Sequence, residues 1–249
     1  PKDTMKICQK LYEGGFITYM RTDSKTLSKE FLEKIEPIIK DKYGENYVKE
    51  NLMELSERGQ EKPKKGKKTK KEEEKESTAQ EAHEAIRPTD MLRENIPETM
   101  EPREKKMYNL IWRTTMEACM ATAQYLSLTA TITAHEGKQY RYSTEKVVFP
   151  GWKAVAGYEQ DNPTYDYLIS LKKKSVVEYK KVESKVSMKE LKSHYTEAKL
   201  ISLLEQRGIG RPSTFSSLLD KIQERGYVKK ENVQGKKISC TDFILENDA

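Results

Sequence analysis

No stretch of this 249-residue chain approaches 18 apolar residues in a row, so none has the length of a membrane-spanning helix. Cysteine is scarce. Cys8, Cys119 and Cys240 are odd in number, far apart and never in a Cys-x-x-Cys pair. That argues against a disulfide framework or a zinc site and favours a reducing, intracellular (cytoplasmic) compartment. There are only three histidines, His83, His135 and His194, and no Asp-x-Asp anywhere. No glycine-rich loop runs into Gly-Lys-Ser/Thr, so the Walker nucleotide cradle is missing. The first ten residues, PKDTMKICQK, carry neither an initiating Met nor a signal-peptide core, and they read as a helix interior. The expectation is a piece of a longer chain.

What is abundant is charge. Charged residues make up 35% of the chain, as many as the hydrophobic ones, and the net charge is +6. Such a polar chain builds several small cores rather than one large one, and a modest positive excess is compatible with a polyanion partner.

The periodicity changes along the chain. Met5, Ile7, Cys8, Leu11 and Tyr12 fall largely on one helical face, and Gly14-Gly15 stops that helix. FITYM, residues 16–20, is short, β-branched and aromatic and predicts a strand. Phe31, Leu32, Ile35, Ile38 and Ile39 predict a helix over about 27–42, with a kink at Pro37. Residues 57–78, ERGQEKPKKGKKTKKEEEKEST, contain a lysine block, a glutamate block and no apolar residue. They predict a disordered charged insertion, either a solvated spacer or an electrostatic tether for DNA.

Pro102 suits the first turn of a helix running to about 123, with Met107, Leu110, Ile111, Thr114 and Ala118 inward. From Tyr125 the period falls to two, and a hairpin is expected over YLSLTATITA and QYRYSTEKVVF, with more strand over 175–188. Thr196 caps an expected helix with Leu200, Leu203 and Leu204. Ser213 or Thr214 caps a second, with Leu218, Leu219 and Ile222 inward and Gly226 at its end. A final hairpin over 227–243 would complete the layout of a winged helix-turn-helix. The fold class is therefore α+β and multi-domain.

Three stretches carry candidate chemistry. In ITYMRTDS, residues 17–24, Tyr19 and Arg21 would share one face of a strand. A phenol ionises near pH ~10 and is a weak nucleophile until a guanidinium favours its phenolate. Arg21 could also hold a phosphate and stabilise charge on its oxygens, while Asp23 and Ser24 anchor the turn or orient Arg21. Taken alone, the pair reads first as cross-strand packing. In EAHEAIRPTD, His83 stands four residues before Arg87, a spacing that suits a phosphate site, a proton relay or a salt-bridged helix end. In GIGRPST, residues 208–214, two glycines, Arg211, Ser213, Thr214 and the start of a helix form either a phosphate cradle or helix-turn-helix punctuation. His135, in a hairpin tip, and His194 read as surface.

Together the three motifs resemble type IA DNA topoisomerases. ITYMRTDS at 17–24, AQEAHEAIRPT at 79–89 and YTEAKLISLLEQRGIGRPST at 195–214, followed by IQERGYV, stand in family order. Met20 and the Glu-Ala-Ile-Arg run point to the bacterial topoisomerase I branch. The resemblance implies a central body of helical, winged-helix-like domains joined by a β-rich arch. Residues 1–123 would form the tyrosine domain, 124–188 part of the arch and 189–249 part of a single-strand-binding domain. It implies that Tyr19 is the nucleophile and joins the 5′-phosphate side of one DNA strand, that Arg21 holds the scissile phosphate, and that His83 and Arg87 add phosphate contacts. Arg211, Ser213 and Thr214 would bind the single strand, with Arg113 a further DNA contact. No ATP is implied. Mg2+ is implied, held by an N-terminal Toprim domain with an Asp-x-Asp site that this sequence does not contain. Partners would be single-stranded or negatively supercoiled DNA and that Toprim domain. A non-enzymatic winged-helix DNA-binding protein would suit the last sixty residues but leaves the first two motifs unexplained.

Overall fold

A computed structural model describes residues 1–56, 84–188, 194–235 and 237–246, with the backbone alone at His135. The charged insertion at 57–78 and His83 lie outside the described residues.

Three helices build the main core. Helix α1, Lys2–Glu13, buries Cys8 and Leu11; α2, Lys29–Tyr43, buries Phe31, Leu32, Ile35 and Ile39. Helix α3, Pro102–Cys119, packs against both. The Ser28 hydroxyl accepts from the N–H of Phe31 and so starts α2, where the spacing placed it to within two residues. Pro102 sits in the first turn of α3, where its missing N–H would have had no partner anyway. Two short 3-10 turns, Glu45–Tyr47 and Leu52–Ser56, close the core with Leu52 and Leu55.

The inward face of α3 differs from the expected one. Tyr108, Trp112, Thr115, Met116 and Cys119 are buried, whereas Leu110 is 50% exposed and Thr114 and Ala118 face solvent. The helix is turned so that its two largest rings go inside and still find partners. Trp112 Nε1 donates to the Met91 carbonyl at 3.0 Å, and the Tyr108 hydroxyl donates to the Arg93 carbonyl at 2.5 Å. Burying two aromatics with satisfied polar ends outweighs burying Leu110 and two small residues.

Glu104 is buried on the same face. Its carboxylate accepts from Lys10 Nζ at 2.8 Å and from the Glu101 N–H at 3.0 Å, tying α3 to α1. These bonds, Lys10 first, hold its pKa below the usual carboxylate range. A depressed folded-state pKa contributes stability that is present above the unfolded value, about 4.3, and is lost as pH falls through the folded value. The urea midpoint of Glu104→Gln is therefore expected to fall less than that of the unaltered chain between pH 7 and pH 3. Equal losses would refute the assignment.

Beyond α3 the chain forms the expected hairpin. Strand β1, Gln124–Thr133, pairs antiparallel with β2, Gln139–Phe149, from Thr133 opposite Gln139 down to Tyr125 opposite Val147. Helix α4, Pro163–Ser170, covers one face near its base: Asn162 Nδ2 donates to Thr144 Oγ1, and Lys146 pairs with Asp166. The hairpin is joined to the helical body at Gly151, where the N–H of Trp152 donates to the Ala121 carbonyl at 2.9 Å. The rings of Tyr47 and Phe149 pack across the same junction, tilted by 48° with centres 4.8 Å apart.

The C-terminal region holds α5, Glu197–Gln206, and α6, Phe215–Glu224. Thr196 caps α5 as expected, accepting from the N–H of Lys199. The hairpin expected over 227–243 is not formed among the described residues. Strand β4, Phe243–Glu246, pairs instead with β3, Lys181–Ser184, which is all the strand found within 175–188.

Candidate active site

The tyrosine segment begins where α1 ends. Gly14 closes the helix, and Gly15, at φ +75°, turns the chain back so that the N–H of Phe16 reaches the Leu11 carbonyl at 2.9 Å. Ile17 and Met20 then enter the core. Between them the chain is irregular rather than the expected strand. Among the described residues only Ile17 of this segment makes a bridge, to Pro88. The ladder stops there because the N–H of Arg87 goes to the Thr18 side chain, at 3.0 Å, and not to a backbone carbonyl.

Tyr19 is half-buried, and its ring meets Tyr12 edge to face with centres 5.3 Å apart. Arg21 is exposed and Asp23 half-buried. A run of hydroxyls shapes residues 22–26: Thr22 Oγ1 accepts from the N–H of Ser24, Ser24 Oγ accepts from the N–H of Thr26, and the hydroxyls of Ser24 and Thr26 lie 2.9 Å apart.

Residues 84–89 lie against this segment, so the first two sequence motifs meet in space. The N–H of Thr18 donates to the Arg87 carbonyl at 2.9 Å, and the N–H of Thr89 donates to the Phe16 carbonyl at 3.1 Å. The Arg87 guanidinium is largely committed within the protein. It donates twice to Glu84, at 2.9 and 2.7 Å, and once to the Pro88 carbonyl at 2.9 Å. It also lies 4.2 Å above the Phe31 ring, with 14% of the side chain exposed.

The third motif forms the turn between α5 and α6. Gly208 and Gly210 adopt φ of +67° and +81°, and a Cβ on Gly210 would sit 2.8 Å from Leu218. Thr214 Oγ1 accepts from the N–H of Arg211 at 2.8 Å, so it locks the turn instead of capping α6. Arg211, Ser213 and Thr214 are all exposed. Helix α6, which follows this turn, meets α1 through an ion pair of Lys2 with Asp220 at 3.5 Å. Arg113 lies on the solvent side of α3, its Nε 3.4 Å from Glu117, and bonds to neither motif among the described residues.

Tyr12, Thr18, Glu84 and Ala85 were not singled out from sequence. Thr18 and Glu84 stood beside residues that were, and Tyr12 stands seven before Tyr19 across the glycine turn. Among the described residues no three His, Cys, Asp or Glu side chains gather as a metal site. The motif carboxylate Glu84 is already taken by Arg87 and the Ser28 N–H. The described residues therefore do not fit Mg2+. No helix among them is long and apolar enough to cross a membrane.

A half-buried tyrosine on an irregular loop, an exposed arginine two residues on and an exposed Gly-Arg turn ahead of a helix are thus set in a mixed helix and strand fold. The chain belongs to the DNA topoisomerase family, whose sequence model matches residues 1–243. It is 38% identical over 237 residues to DNA topoisomerase 1 of Haemophilus influenzae, covering 93% of this chain and 24% of that protein. With DNA topoisomerase 1 of Helicobacter pylori it shares 35% over 257 residues, covering 99% of this chain and 32% of the other. Full-length topoisomerase I from Thermotoga maritima superposes with a TM-score of 0.60 at 27% identity, over 91% of this chain and 35% of that one. The chain thus spans about a quarter to a third of the length of these relatives.

Proposed function

We propose that this chain is the tyrosine-bearing part of an enzyme that cuts and rejoins one DNA strand. The observation that carries the reading is the meeting of the ITYMRTDS and EAIRPT segments around Tyr19, within a chain of the topoisomerase family. The Tyr19 hydroxyl oxygen attacks a backbone phosphorus and loses its proton. The bond from phosphorus to the 3′-oxygen breaks, and that oxygen leaves as a 3′-hydroxyl. The 5′-phosphate stays on Tyr19. Reversal of the same step reseals the strand.

One phosphodiester is exchanged for another, so no ATP is consumed, and negative supercoiling supplies the driving force. Arg21, exposed and two residues from Tyr19, pairs with the scissile phosphate and stabilises the charge gathering on its oxygens. Asp23 supports that loop, and His83 adds a phosphate contact. Arg211, Ser213 and Thr214 hold the single strand at the turn before α6, and Arg113 meets DNA further off. Residues 1–123 serve as the tyrosine domain, 124–188 as part of a hinging arch and 189–249 as part of a winged-helix-like strand-binding domain. Mg2+ and the proton for the leaving oxygen are supplied by a Toprim domain acting with this chain. The setting is intracellular, on DNA.

The chain alone is expected to bind single-stranded oligonucleotides more tightly than duplex and to relax no supercoils. Arg211→Ala should make the plot of log affinity against log salt shallower by about 0.7, one phosphate contact's worth on a single strand. Preference for a duplex of fixed sequence would instead point to a regulator reading the major groove. Efficient plasmid relaxation by the chain alone would overturn the division of labour.

A further inference from the structure

Residues 84–89 close the tyrosine loop, a task that a phosphate-binding role for Arg87 does not explain. Ala85 holds both ends of that loop. Its carbonyl accepts from the Thr18 hydroxyl at 3.1 Å, and its N–H donates to the Thr26 carbonyl at 2.7 Å. Tyr19, Arg21 and Asp23 all lie between these two anchors. Thr18 works in both directions, since its hydroxyl oxygen also takes the N–H of Arg87. The loop is thus tied immediately before Tyr19 and again just past the Thr22–Ser24 turn.

Ala85 is itself held from both sides. Before it, the Glu84 carboxylate receives the Ser28 N–H at 3.3 Å, at the start of α2, together with two Arg87 donors. After it, Arg87 rests on Phe31 of α2 and donates to the Pro88 carbonyl. Three of the five guanidinium N–H donors are in use, and the side chain is largely enclosed. To offer its fork to a phosphate, Arg87 would have to leave a bidentate carboxylate and an aromatic face, and would strand the Glu84 charge in a half-buried place.

We propose that Glu84 and Arg87 are positioning residues. They form a clip that acts through Ala85 and Thr18 to fix the Tyr19 loop, and Arg87 is not a contact to DNA phosphate. This rests on Tyr19 being the nucleophile. The gain is geometric, because a nucleophile held within a fraction of an ångström of its line of attack keeps a rate that a looser loop loses by about 10–100-fold.

Three readouts on Glu84→Gln, Arg87→Gln and Thr18→Val test it. Amide hydrogen exchange over residues 16–26 is expected to speed up about tenfold or more in each, as one anchor is lost. The salt dependence of single-strand binding should match the unaltered chain in all three. Covalent attachment to a labelled oligonucleotide, with a Toprim domain and Mg2+ added, should slow about 10–100-fold at unchanged affinity. A salt slope shallower by about 0.7 in Arg87→Gln makes Arg87 a phosphate contact and overturns the proposal. So does unaltered exchange in Glu84→Gln. Thr18→Val removes a single hydroxyl, so it decides the matter if the ion-pair variants fail to fold. If the unaltered chain forms no adduct, the reading of Tyr19 falls, and the exchange and salt measurements still decide the clip.

Discussion

Tyr19→Phe removes covalent attachment to DNA. With a Toprim domain and Mg2+ present, the unaltered chain should yield a labelled adduct that survives denaturation, and the variant should yield less than about one-thousandth as much. The loss is total in kind because the hydroxyl oxygen is the atom that bonds to phosphorus, and phenylalanine has none to offer. The ring stays, and so does its edge-to-face contact with Tyr12. The loop remains tied through Thr18 and Thr26 to Ala85, by bonds that do not involve residue 19. Single-strand affinity should therefore stay close to that of the parent. An adduct that persists at the parental level would show that another residue is the nucleophile.

Gly151→Ala is expected to destabilise the chain by about 2–4 kcal/mol. Two costs add at this position. Its φ is +49°, in the left-handed region that a side chain makes unfavourable by roughly 1–2 kcal/mol. A Cβ would also lie 2.4 Å from the Ala121 carbonyl oxygen and 2.7 Å from the Thr122 carbonyl carbon. Both are backbone atoms and cannot swing aside. The contacts that would have to open, from the N–H of Trp152 to Ala121 and between the rings of Tyr47 and Phe149, are those that attach the hairpin to the helices. Urea unfolding followed by tryptophan fluorescence reads the effect, since Trp112 reports on the core and Trp152 on the junction. An unchanged midpoint at both would refute the close approach.

Features with a local cause were legible in the sequence. Helices α1 and α2, the glycine stop after α1, the cap at Thr196 and the β1–β2 hairpin all arise from period and from side chains acting on their own backbone. Pairing at a distance was not. FITYM has strand composition, but its neighbour is a short segment whose next N–H is taken by Thr18. Strand β4 has its partner some sixty residues earlier in β3, and nothing in the local pattern of 227–243 shows it. The face of α3 was misjudged because the carbonyls that satisfy Trp112 and Tyr108 come from 91–93, a stretch without periodic pattern. At the site, Tyr19, Arg21 and Arg87 could be picked by residue type. The engagement of Arg87 with Glu84 and Phe31 required coordinates.

The hairpin is a long arm on a narrow base. Its strands run about 33 Å at the usual rise per residue, while α4 and its cap Asn162 bond to them along Thr144, Glu145 and Lys146. Both connections to the helices sit side by side at the base, one leaving through Ala121 and the other returning through Gly151. A turn of about 10° at that base carries the far end through roughly 6 Å at this arm length. Slight repacking around Tyr47, Phe149 and Gly151 is thus enough to move the tip by more than a nucleotide's stacking distance.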